Sequence, residues 1–276
     1  MLTLGFSTCP NDTFIFDAWV NQRLERADTK PKVHLGDVDE LNINSQSALF
    51  DITKLSFGAI SSVSDKYQIL DSGSALGFGC GPLLISKELF EVNNPAFNSI
   101  KVAIPGEKTT ANLLLSMAFP QLRNKVVMLF SEIEQAILDG TVDAGLIIHE
   151  NRFTYESLGL KKIIDLGEHW EQTTGLPIPL GCIAVRRDLP QNEKLEIQSI
   201  IRKSVEFAFK HPDISSEYVA QHAQSMKPEV MKQHIDLYVN DFSISLGNRG
   251  KEAINRLFEE GKKAGLIGEI IQPIFL

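Results

Sequence analysis

The sequence predicts an α/β protein of two lobes with a cleft between them. Segments typical of strands alternate with segments typical of helices, and this alternation occurs twice along the chain. Two connecting stretches, near residues 90 and 175, separate the alternations. Such an order favours parallel sheets with right-handed crossovers. We therefore expect a larger lobe from residues 1–92 and 176–276 and a smaller lobe from residues 93–175, with the chain crossing between them twice.

The first alternation fills the amino-terminal part of the chain. The strand "LTLGF" precedes the helical segment "TFIFDAWVNQRL", which Asn11 or Asp12 can cap by accepting from free amides. "KVHLGDV" is predicted as a second strand and "DITKLSFGA" as a third. One face of the helix predicted between them carries Val38, Leu41, Ser45, Ala48 and Leu49.

A glycine-rich stretch, "DSGSALGFGCG", leads into the apolar run "PLLISKE". Its glycines permit tight turns and close approach of the backbone, so we expect a hinge or a loop that faces a ligand. The dinucleotide-binding fingerprint is excluded because the glycine spacing is wrong and the glycines lead into a strand instead of a helix.

The second alternation follows the polar link "EVNNPAFNS". Its predicted strands are "IKVAI", "KVVMLF", "DAGLII" and "KKIIDL", with a helix entered through "PGEKTTANLLLSMAF". Ser131 and Glu134 have the spacing of a capping box for the helix between the second and third of these strands. Gly140 stands where a left-handed helix terminus is expected.

The carboxyl-terminal part is predicted to be helical. "HWEQTTGLPIPLG" is predicted as a long connection before the strand "CIAVRRDL". Four later segments carry apolar residues at helical spacing: "EKLEIQSIIRKSVEFAFKHP", "SEYVAQHAQ", "PEVMKQHIDLYV" and "KEAINRLFEEGKKAG".

Composition excludes several classes of protein. The 27 Lys and Arg against 35 Asp and Glu give a formal charge of −8, which argues against a nucleic-acid partner. No run approaches eighteen apolar residues, so we expect no membrane span. The start "MLTLGFSTCPNDTF" does not have the pattern of a secretory signal. The three cysteines, Cys9, Cys80 and Cys182, match neither a disulfide framework nor a zinc pattern, so we expect a cytoplasmic protein.

Open parallel sheets bind ligands outside the carboxyl ends of their strands. On this rule the cleft is lined by the loop "STCPND", the strand end "KLSF", the helix entrance "KTTA" and the strand end "HEN".

His149 is the strongest catalytic candidate because it is the first polar residue after the apolar strand "DAGLII". An imidazole can take and return a proton near neutral pH. The alternative is a histidine that only makes a hydrogen bond at a strand terminus, and the residue pattern alone favours that alternative. The metalloprotease motif is absent because Phe153 stands where its second histidine belongs.

Other polar residues are candidates for substrate binding. Thr109, Thr110 and Ala111 stand at a helix start, where free amides favour an anion, although Thr109 or Thr110 can equally serve as the cap. Asn42 falls just inside a helix, where asparagine is unfavourable without a use for its amide. The Ser56 hydroxyl, at a strand end, can donate to a ligand oxygen.

The remaining histidines form no pattern typical of metal ligands, and no chemistry is assigned to them: His34, His169, His211, His222 and His234. No motif requires a metal or an organic cofactor, so we expect none.

Long blocks of the chain resemble the 1,4-dihydroxy-6-naphthoate synthases of the futalosine route to menaquinone. The resemblance covers nearly the whole length and is carried by "GFSTCPNDTFIF", "DVDELN", "TKLSFGA", "GSALGFGCGPL", "PGEKTTA", "AGLIIHENRFTY", "TGLPIPLG" and "YVNDFS". The sequence differs from the family pattern at two places that affect local shape. Thr8 stands where the family has proline, and "LNINSQSALFDI" is more polar than the family's segment.

The resemblance implies a two-lobed, periplasmic-binding-protein-like fold of type II that is used for catalysis inside the cell. It implies a carbon–carbon lyase that cleaves cyclic de-hypoxanthine futalosine, a small-molecule carboxylate, to 1,4-dihydroxy-6-naphthoate. His149 matches the family's catalytic base. The matching substrate contacts are Lys54, Leu55, Ser56, Thr110, Ala111 and Asn42, and we add Asn11 and Thr109 from their position.

Two alternatives stay open. A chorismate dehydratase of the same pathway shares the fold and an anionic ring substrate, but "CPNDTFIF" and "IIHE" fit the naphthoate enzyme better. A non-catalytic solute-binding protein would need a secretion signal and no His149. The expected assembly is a monomer or a homodimer.

Overall fold

The computed structural model describes residues 1–25, 30–223 and 227–276. The strands, in chain order, are β1 (Thr3–Phe6), β2 (Lys32–Leu35), β3 (Ile52–Ser56), β4 (Tyr67–Ile69), β5 (Ala75–Gly77), β6 (Leu83–Ser86), β7 (Val102–Ile104), β8 (Lys125–Val127), β9 (Ala144–Ile147), β10 (Lys161–Asp165) and β11 (Ile178–Arg186). The α-helices are α1 (Pro10–Val20), α2 (Val38–Asn44), α3 (Phe57–Ile60), α4 (Thr110–Ala118), α5 (Ile133–Leu138), α6 (Leu166–Thr174), α7 (Gln191–Lys210), α8 (Pro212–His222), α9 (Pro228–Tyr238), α10 (Asp241–Ile244) and α11 (Gly247–Lys263).

The strands form two mixed sheets. One has the order β2-β1-β3-β11-β4, with β5 paired to β11, and the other has the order β10-β6-β9-β7-β8. Strand β1 runs parallel to β2 and β3, and β7 runs parallel to β8 and β9, as the alternation predicts. The prediction of wholly parallel sheets is wrong for β11 and β6, which run antiparallel to their neighbours. Both strands begin where the chain has just left the other sheet, so the crossover sets their direction.

The two sheets correspond to the two lobes. The second sheet begins with β6, which lies inside the 1–92 segment expected in the larger lobe. The division at residues 92 and 176 stays a prediction. Sheet membership argues for an earlier first crossing, between Gly77 and Leu83, and a second crossing between β10 and β11.

Apolar packing joins the two lobes. One continuous buried cluster contains Leu55 of β3, Leu84 of β6, Leu114 of α4 and Leu257 of α11. A second cluster packs α1 and α7 on the first sheet, and a third packs α5 on the second sheet. Fully burying one such side chain contributes about 1.5–3 kcal/mol, so the shared cluster holds the lobes in register around the space between them.

The first helix begins earlier than predicted. Pro10 occupies its first turn, where the missing amide hydrogen of proline is not needed, and Cys9 is the N-cap residue. The prediction that Asn11 or Asp12 caps this helix is therefore wrong. Both side chains are buried within the first turn and bond to other partners.

The helix predicted to carry Val38 through Leu49 on one face is shorter than expected. Helix α2 ends at Asn44 and continues as a 3-10 turn over 45–47. Ala48 then takes a left-handed conformation with φ 52°, and Leu49 is 54% exposed. The predicted face is wrong at this end because the change of backbone turns Leu49 to solvent.

In the second lobe the predicted capping box is wrong. Ser131 lies in a 3-10 turn over 130–132, and no side chain caps α5. Gly140 does take the predicted left-handed conformation, with φ 71°.

The predicted connection over 169–181 is also wrong, because most of it belongs to α6 and β11. The Asp165 carboxylate caps α6 by accepting from the amides of Gly167 and Glu168. Strand β4 was not predicted.

The carboxyl-terminal helices are confirmed as α7, α8, α9 and α11. The helix predicted over 216–224 begins earlier, at Pro212, and Gln224 lies outside the described residues. Within the described ranges, every helix is too short or too polar to span a bilayer.

Candidate active site

A cavity is lined by residues from both sheets, at the carboxyl ends of β1, β3, β7 and β9. The four segments that the sequence places at the cleft all contribute to its wall. They supply Ser7, Asn11, Asp12, Lys54, Leu55, Ser56, Thr109, Thr110, Ala111 and His149. Helix α9 adds His234 and Tyr238, and β11 adds Gly181. The cavity therefore lies where the two lobes face each other.

His149 opens the 3-10 turn over 149–153, directly after β9. Its φ of 59° is left-handed, which is unusual for a side chain of this size and costs about 1–3 kcal/mol. Its Nδ1 atom lies 3.4 Å from Sγ of Cys9. Its Nε2 atom is buried and has no hydrogen-bond partner among the described residues. A strained backbone thus places an imidazole at the cavity with one nitrogen unused.

Cys9 meets this imidazole as a neutral thiol. Burial raises the pKa of Cys9 well above its usual range, and the carboxylates of Glu150 and Asp12 raise it further. A thiol can accept a hydrogen bond from an imidazole N–H or donate one to an imidazole lone pair. Because Cys9 precedes α1 and His149 follows β9, the contact joins the two lobes.

Arg152 fixes the turn that carries His149. Its guanidinium donates to Asp165 at 2.6 Å and to the carbonyl of Gly81 at 2.6 Å. Asp165 is fully buried at its side chain, so this charged bond is shielded from solvent. The turn is tied to the end of β10 and to the loop before β6.

A buried ion pair lies on the opposite wall. Lys54 Nζ is 2.6 Å from Asp12 Oδ1, and both side chains are largely inaccessible. Ser7 donates its amide and its hydroxyl to Asp12 Oδ2, at 3.2 and 2.8 Å, and Asn11 Nδ2 donates to Asp12 Oδ1 at 2.8 Å. The carboxylate is therefore saturated with donors, which offsets the cost of burying it.

Asn42 does not line the cavity, contrary to the expectation that it faces the cleft. It is fully buried behind Ser56, where its Nδ2 donates to Ser56 Oγ and its Oδ1 accepts from the Ser56 amide, both at 3.0 Å. Ser56 Oγ already accepts from Asn42, so its own hydrogen is available to the cavity. Asn42 therefore orients a hydroxyl.

The start of α4 forms the wall of the second lobe. Thr109 is the N-cap, with its hydroxyl accepting from the Asn112 amide at 3.2 Å. The Thr110 hydroxyl donates to the Leu180 carbonyl at 2.6 Å and accepts from the Gly58 amide at 3.1 Å, so it also joins the lobes. The amides of Thr110 and Ala111 lie in the first turn, where no intrahelical acceptor exists. Free amides at a helix start can bind an anion.

His234 is a cavity residue that the sequence did not single out. It is fully buried on α9, and its Nε2 lies 3.0 Å from Oδ1 of Asn11. Its ring is nearly parallel to that of His149, with centroids 6.1 Å apart and planes at 17°. Burial lowers the pKa of His234 well below its usual value, and the nearby His149 and Lys54 lower it further. No local sequence pattern marks this histidine, because its partner Asn11 lies 223 positions away in the chain.

Metal ligation has no candidate cluster in the described ranges. Among residues 1–25, 30–223 and 227–276, no group of three His, Cys, Asp or Glu side chains is placed to hold an ion.

Known proteins with similar sequences match the chain along its length. A family model described as menaquinone biosynthesis matches residues 2–263. A 1,4-dihydroxy-6-naphthoate synthase of Thermus thermophilus is 42% identical over 275 residues, which cover 100% of this chain and 99% of the relative. A protein of the same name from Streptomyces coelicolor is 42% identical over 271 residues, covering 96% and 94% of the two chains.

Solved structures show the same fold. A protein of Archaeoglobus fulgidus is 33% identical, with a TM-score of 0.91 over 96% of this chain and 98% of its own. The ligand-binding component of a Staphylococcus aureus ABC-type import system has a TM-score of 0.73 at 14% identity, covering 100% and 95% of the two chains. A Candida albicans protein with the generic periplasmic-binding-protein fold has a TM-score of 0.68 at 14% identity, covering 98% and 91%.

The predicted two-lobed, periplasmic-binding-protein-like fold of type II is confirmed by these structures. The full-length sequence matches go further than the fold, because they join the chain to enzymes of one pathway. The chain belongs to the menaquinone biosynthesis family, and within it to the family of the 1,4-dihydroxy-6-naphthoate synthases.

Proposed function

We propose that this enzyme is a lyase that converts cyclic de-hypoxanthine futalosine to 1,4-dihydroxy-6-naphthoate, with His149 as the general base. The Nε2 atom of His149 carries the proposal, because it is buried on a residue that lines the cavity and has no partner in the described ranges of the chain. A buried polar atom without a partner is rare in folded proteins unless a ligand or water uses it.

The substrate carboxylate binds at the start of α4. The amides of Thr110 and Ala111 supply two donors, and the positive end of the helix dipole adds to the attraction. Both residues are at least nine-tenths buried, so the charge is recognised away from bulk water. Neither side chain competes for the carboxylate, because Ala111 is apolar and the Thr110 hydroxyl is already used.

The hydroxyl groups of the substrate, or an oxyanion that develops in the reaction, bind on the wall of β3. The Ser56 hydroxyl donates there, because its oxygen already accepts a hydrogen bond from Asn42 Nδ2 and its hydrogen is free to face the cavity. Lys54 is compensated by Asp12, so it offers its remaining ammonium hydrogens without leaving an uncompensated charge in the cavity. Leu55 is fully buried between them and holds this strand end in the shared core.

His149 removes the proton that starts carbon–carbon cleavage. For Nε2 to act as the base, the hydrogen of the neutral ring must be on Nδ1, from which it is donated to Cys9 Sγ. Because its pKa is raised, Cys9 stays a thiol, and a thiol sulfur can accept this hydrogen bond. Aromatisation of the second ring of the product then favours cleavage.

The test is turnover of cyclic de-hypoxanthine futalosine, followed by the appearance of 1,4-dihydroxy-6-naphthoate by chromatography. His149→Ala should lower kcat by about 10²- to 10⁴-fold, the usual contribution of a positioned general base. The exposed His211 provides the matched control, His211→Ala, which should behave as the parent.

The other outcomes are also decisive when the assay is repeated with chorismate as substrate and substrate binding is measured by calorimetry. A parent protein that forms no naphthoate contradicts the lyase assignment, and turnover of chorismate instead would favour the dehydratase alternative. Undiminished turnover by His149→Ala would remove His149 from the role of base. Tight binding without turnover by the parent would favour a solute-binding protein.

We also propose that the enzyme acts in the cytoplasm without disulfides. Cys9, Cys80 and Cys182 are all free and buried. Burial raises the pKa of Cys80 and of Cys182 to about 12, so neither forms a reactive thiolate near neutral pH. Cell fractionation with antibody detection checks the compartment, and analytical ultracentrifugation checks whether the enzyme is a monomer or a homodimer.

A further inference from the structure

The amide of Asn11 has a fixed orientation. Asp12 is held by the Lys54 ammonium and by the Ser7 hydroxyl, so its carboxylate acts as an acceptor. Asn11 must therefore present its NH₂ group to Asp12, at 2.8 Å. Its carbonyl oxygen, Oδ1, is left to face His234 Nε2 at 3.0 Å.

This orientation fixes the tautomer of His234. A carbonyl oxygen only accepts, so Nε2 of His234 must carry the hydrogen and donate it. Burial, with the nearby His149 and Lys54, lowers the pKa of His234 well below its usual value, so the ring is neutral. A neutral ring carries one N–H hydrogen, and Nδ1 is then a bare lone pair.

Nδ1 of His234 has no hydrogen-bond partner in the part of the chain that the structure describes. The residue is fully buried and lines the cavity, so the unused acceptor belongs to a side chain of the cavity wall. Leaving a buried acceptor unsatisfied costs about 1–3 kcal/mol. Buried polar atoms without a partner are rare in folded proteins, and a bound ligand accounts for one that belongs to a cavity residue.

We propose that Nδ1 of His234 accepts a hydrogen bond from a hydroxyl group of the bound substrate. This inference rests on the proposed function and adds a substrate-binding residue to it. The chain Lys54–Asp12–Asn11–His234 sets the acceptor, and the His149 ring lies nearly parallel at 6.1 Å between centroids. A hydroxyl held by His234 is therefore close to the atom that His149 deprotonates. The ligand class is a hydroxylated ring carboxylate.

The most direct test is ¹⁵N NMR of the whole protein with labelled histidine. In the free protein His234 should show a protonated Nε2 and an unprotonated Nδ1. Adding 1,4-dihydroxy-6-naphthoate, whose ring hydroxyls can donate, should move the Nδ1 resonance towards the protonated range and leave the His211 resonances in place. An unmoved Nδ1 resonance at saturating naphthoate, or a free protein with the hydrogen on Nδ1, would overturn the inference.

Steady-state kinetics provide a second test of the role of His234. His234→Gln retains a donor that can reach Asn11, but its acceptor oxygen Oε1 then points away from the former position of Nδ1. The variant should therefore raise KM for cyclic de-hypoxanthine futalosine about tenfold, the effect of one lost hydrogen bond. His211→Gln is the matched control. An active parent with an unchanged KM in His234→Gln overturns this inference alone. A parent without turnover overturns the proposed function instead, and the NMR titration still decides the role of His234.

Discussion

At the residue scale, the site depends on buried side chains that orient other side chains. Asn42 is the clearest example, because its side chain makes hydrogen bonds to both the amide and the hydroxyl of Ser56. Asn42→Ala leaves the buried Ser56 amide without an acceptor and lowers the free energy of unfolding by about 1–3 kcal/mol. It should also raise KM, since the Ser56 hydroxyl is no longer oriented.

Urea denaturation and steady-state kinetics check this prediction. Asn44→Ala, on the same helix, is the control because the Asn44 side chain donates only weakly, at 3.4 Å, to the exposed Glu40. Equal losses of stability in the two variants would contradict the role given to Asn42.

The sequence identified most of the residues that line the cavity, but it did not show the role of each. The strand-end rule selected Ser56, Thr110 and His149 correctly as neighbours, because strand ends follow from local pattern. Whether Asn42 faces the cavity or lies behind Ser56 depends on how α2 packs on β3. The pairing of His234 with Asn11 joins opposite ends of the chain, and no local signal marks it.

At the scale of elements, α5 and the turn over 149–153 each carry an acidic residue, and the two carboxylates repel each other. Glu134 and Glu150 each have a buried carboxylate oxygen without a partner among the described residues. Burial, followed by repulsion from Glu150, raises the pKa of Glu134 from its ordinary 4.5 to about 7. The folded state therefore holds a proton that the unfolded chain has already released between these values.

The free energy of unfolding should accordingly fall as the pH rises from about 4.5 to 7, because the unfolded state binds fewer protons in that window. Glu134→Gln removes this loss, so it should stabilise the protein more at pH 8 than at pH 5. Urea denaturation at both pH values measures the difference. Equal effects at the two pH values would show that Glu134 titrates normally.

Elements with strong periodicity were predicted well, and elements defined by long-range contacts were not. Helices α7, α9 and α11 carry a clear apolar face and were found from it. Helix α6 was missed because Gly175 and two prolines follow it closely, which favoured a connection over a helix capped by Asp165. The direction of β11 follows from its crossover, which local sequence does not encode.

At the scale of the molecule, the backbones of the two lobes come close together at Gly58. A Cβ atom there would lie 2.8 Å from the carbonyl oxygen of Lys108 and 2.9 Å from that of Thr109. Backbone atoms cannot move aside as a flexible side chain can, so Gly58→Ala should push the start of α4 away from β3. A displacement of about 1 Å can cost about 10²-fold in rate, and we expect a loss of that order in kcat/KM.

Steady-state kinetics measure this loss, and small-angle scattering checks the wider separation of the lobes. Gly268→Ala is the matched control because a Cβ there meets open space. Unchanged kcat/KM in Gly58→Ala would show that the lobes need no such approach for catalysis.

The central claim is that the cavity between the lobes holds the substrate with its carboxylate on α4 and the proton that is removed facing Nε2 of His149. A crystal structure of His149→Ala soaked with cyclic de-hypoxanthine futalosine tests it most directly. We expect intact substrate, with the carboxylate on the amides of Thr110 and Ala111 and a hydroxyl on Nδ1 of His234. Substrate bound elsewhere, or bound here with its carboxylate remote from α4, would contradict the account.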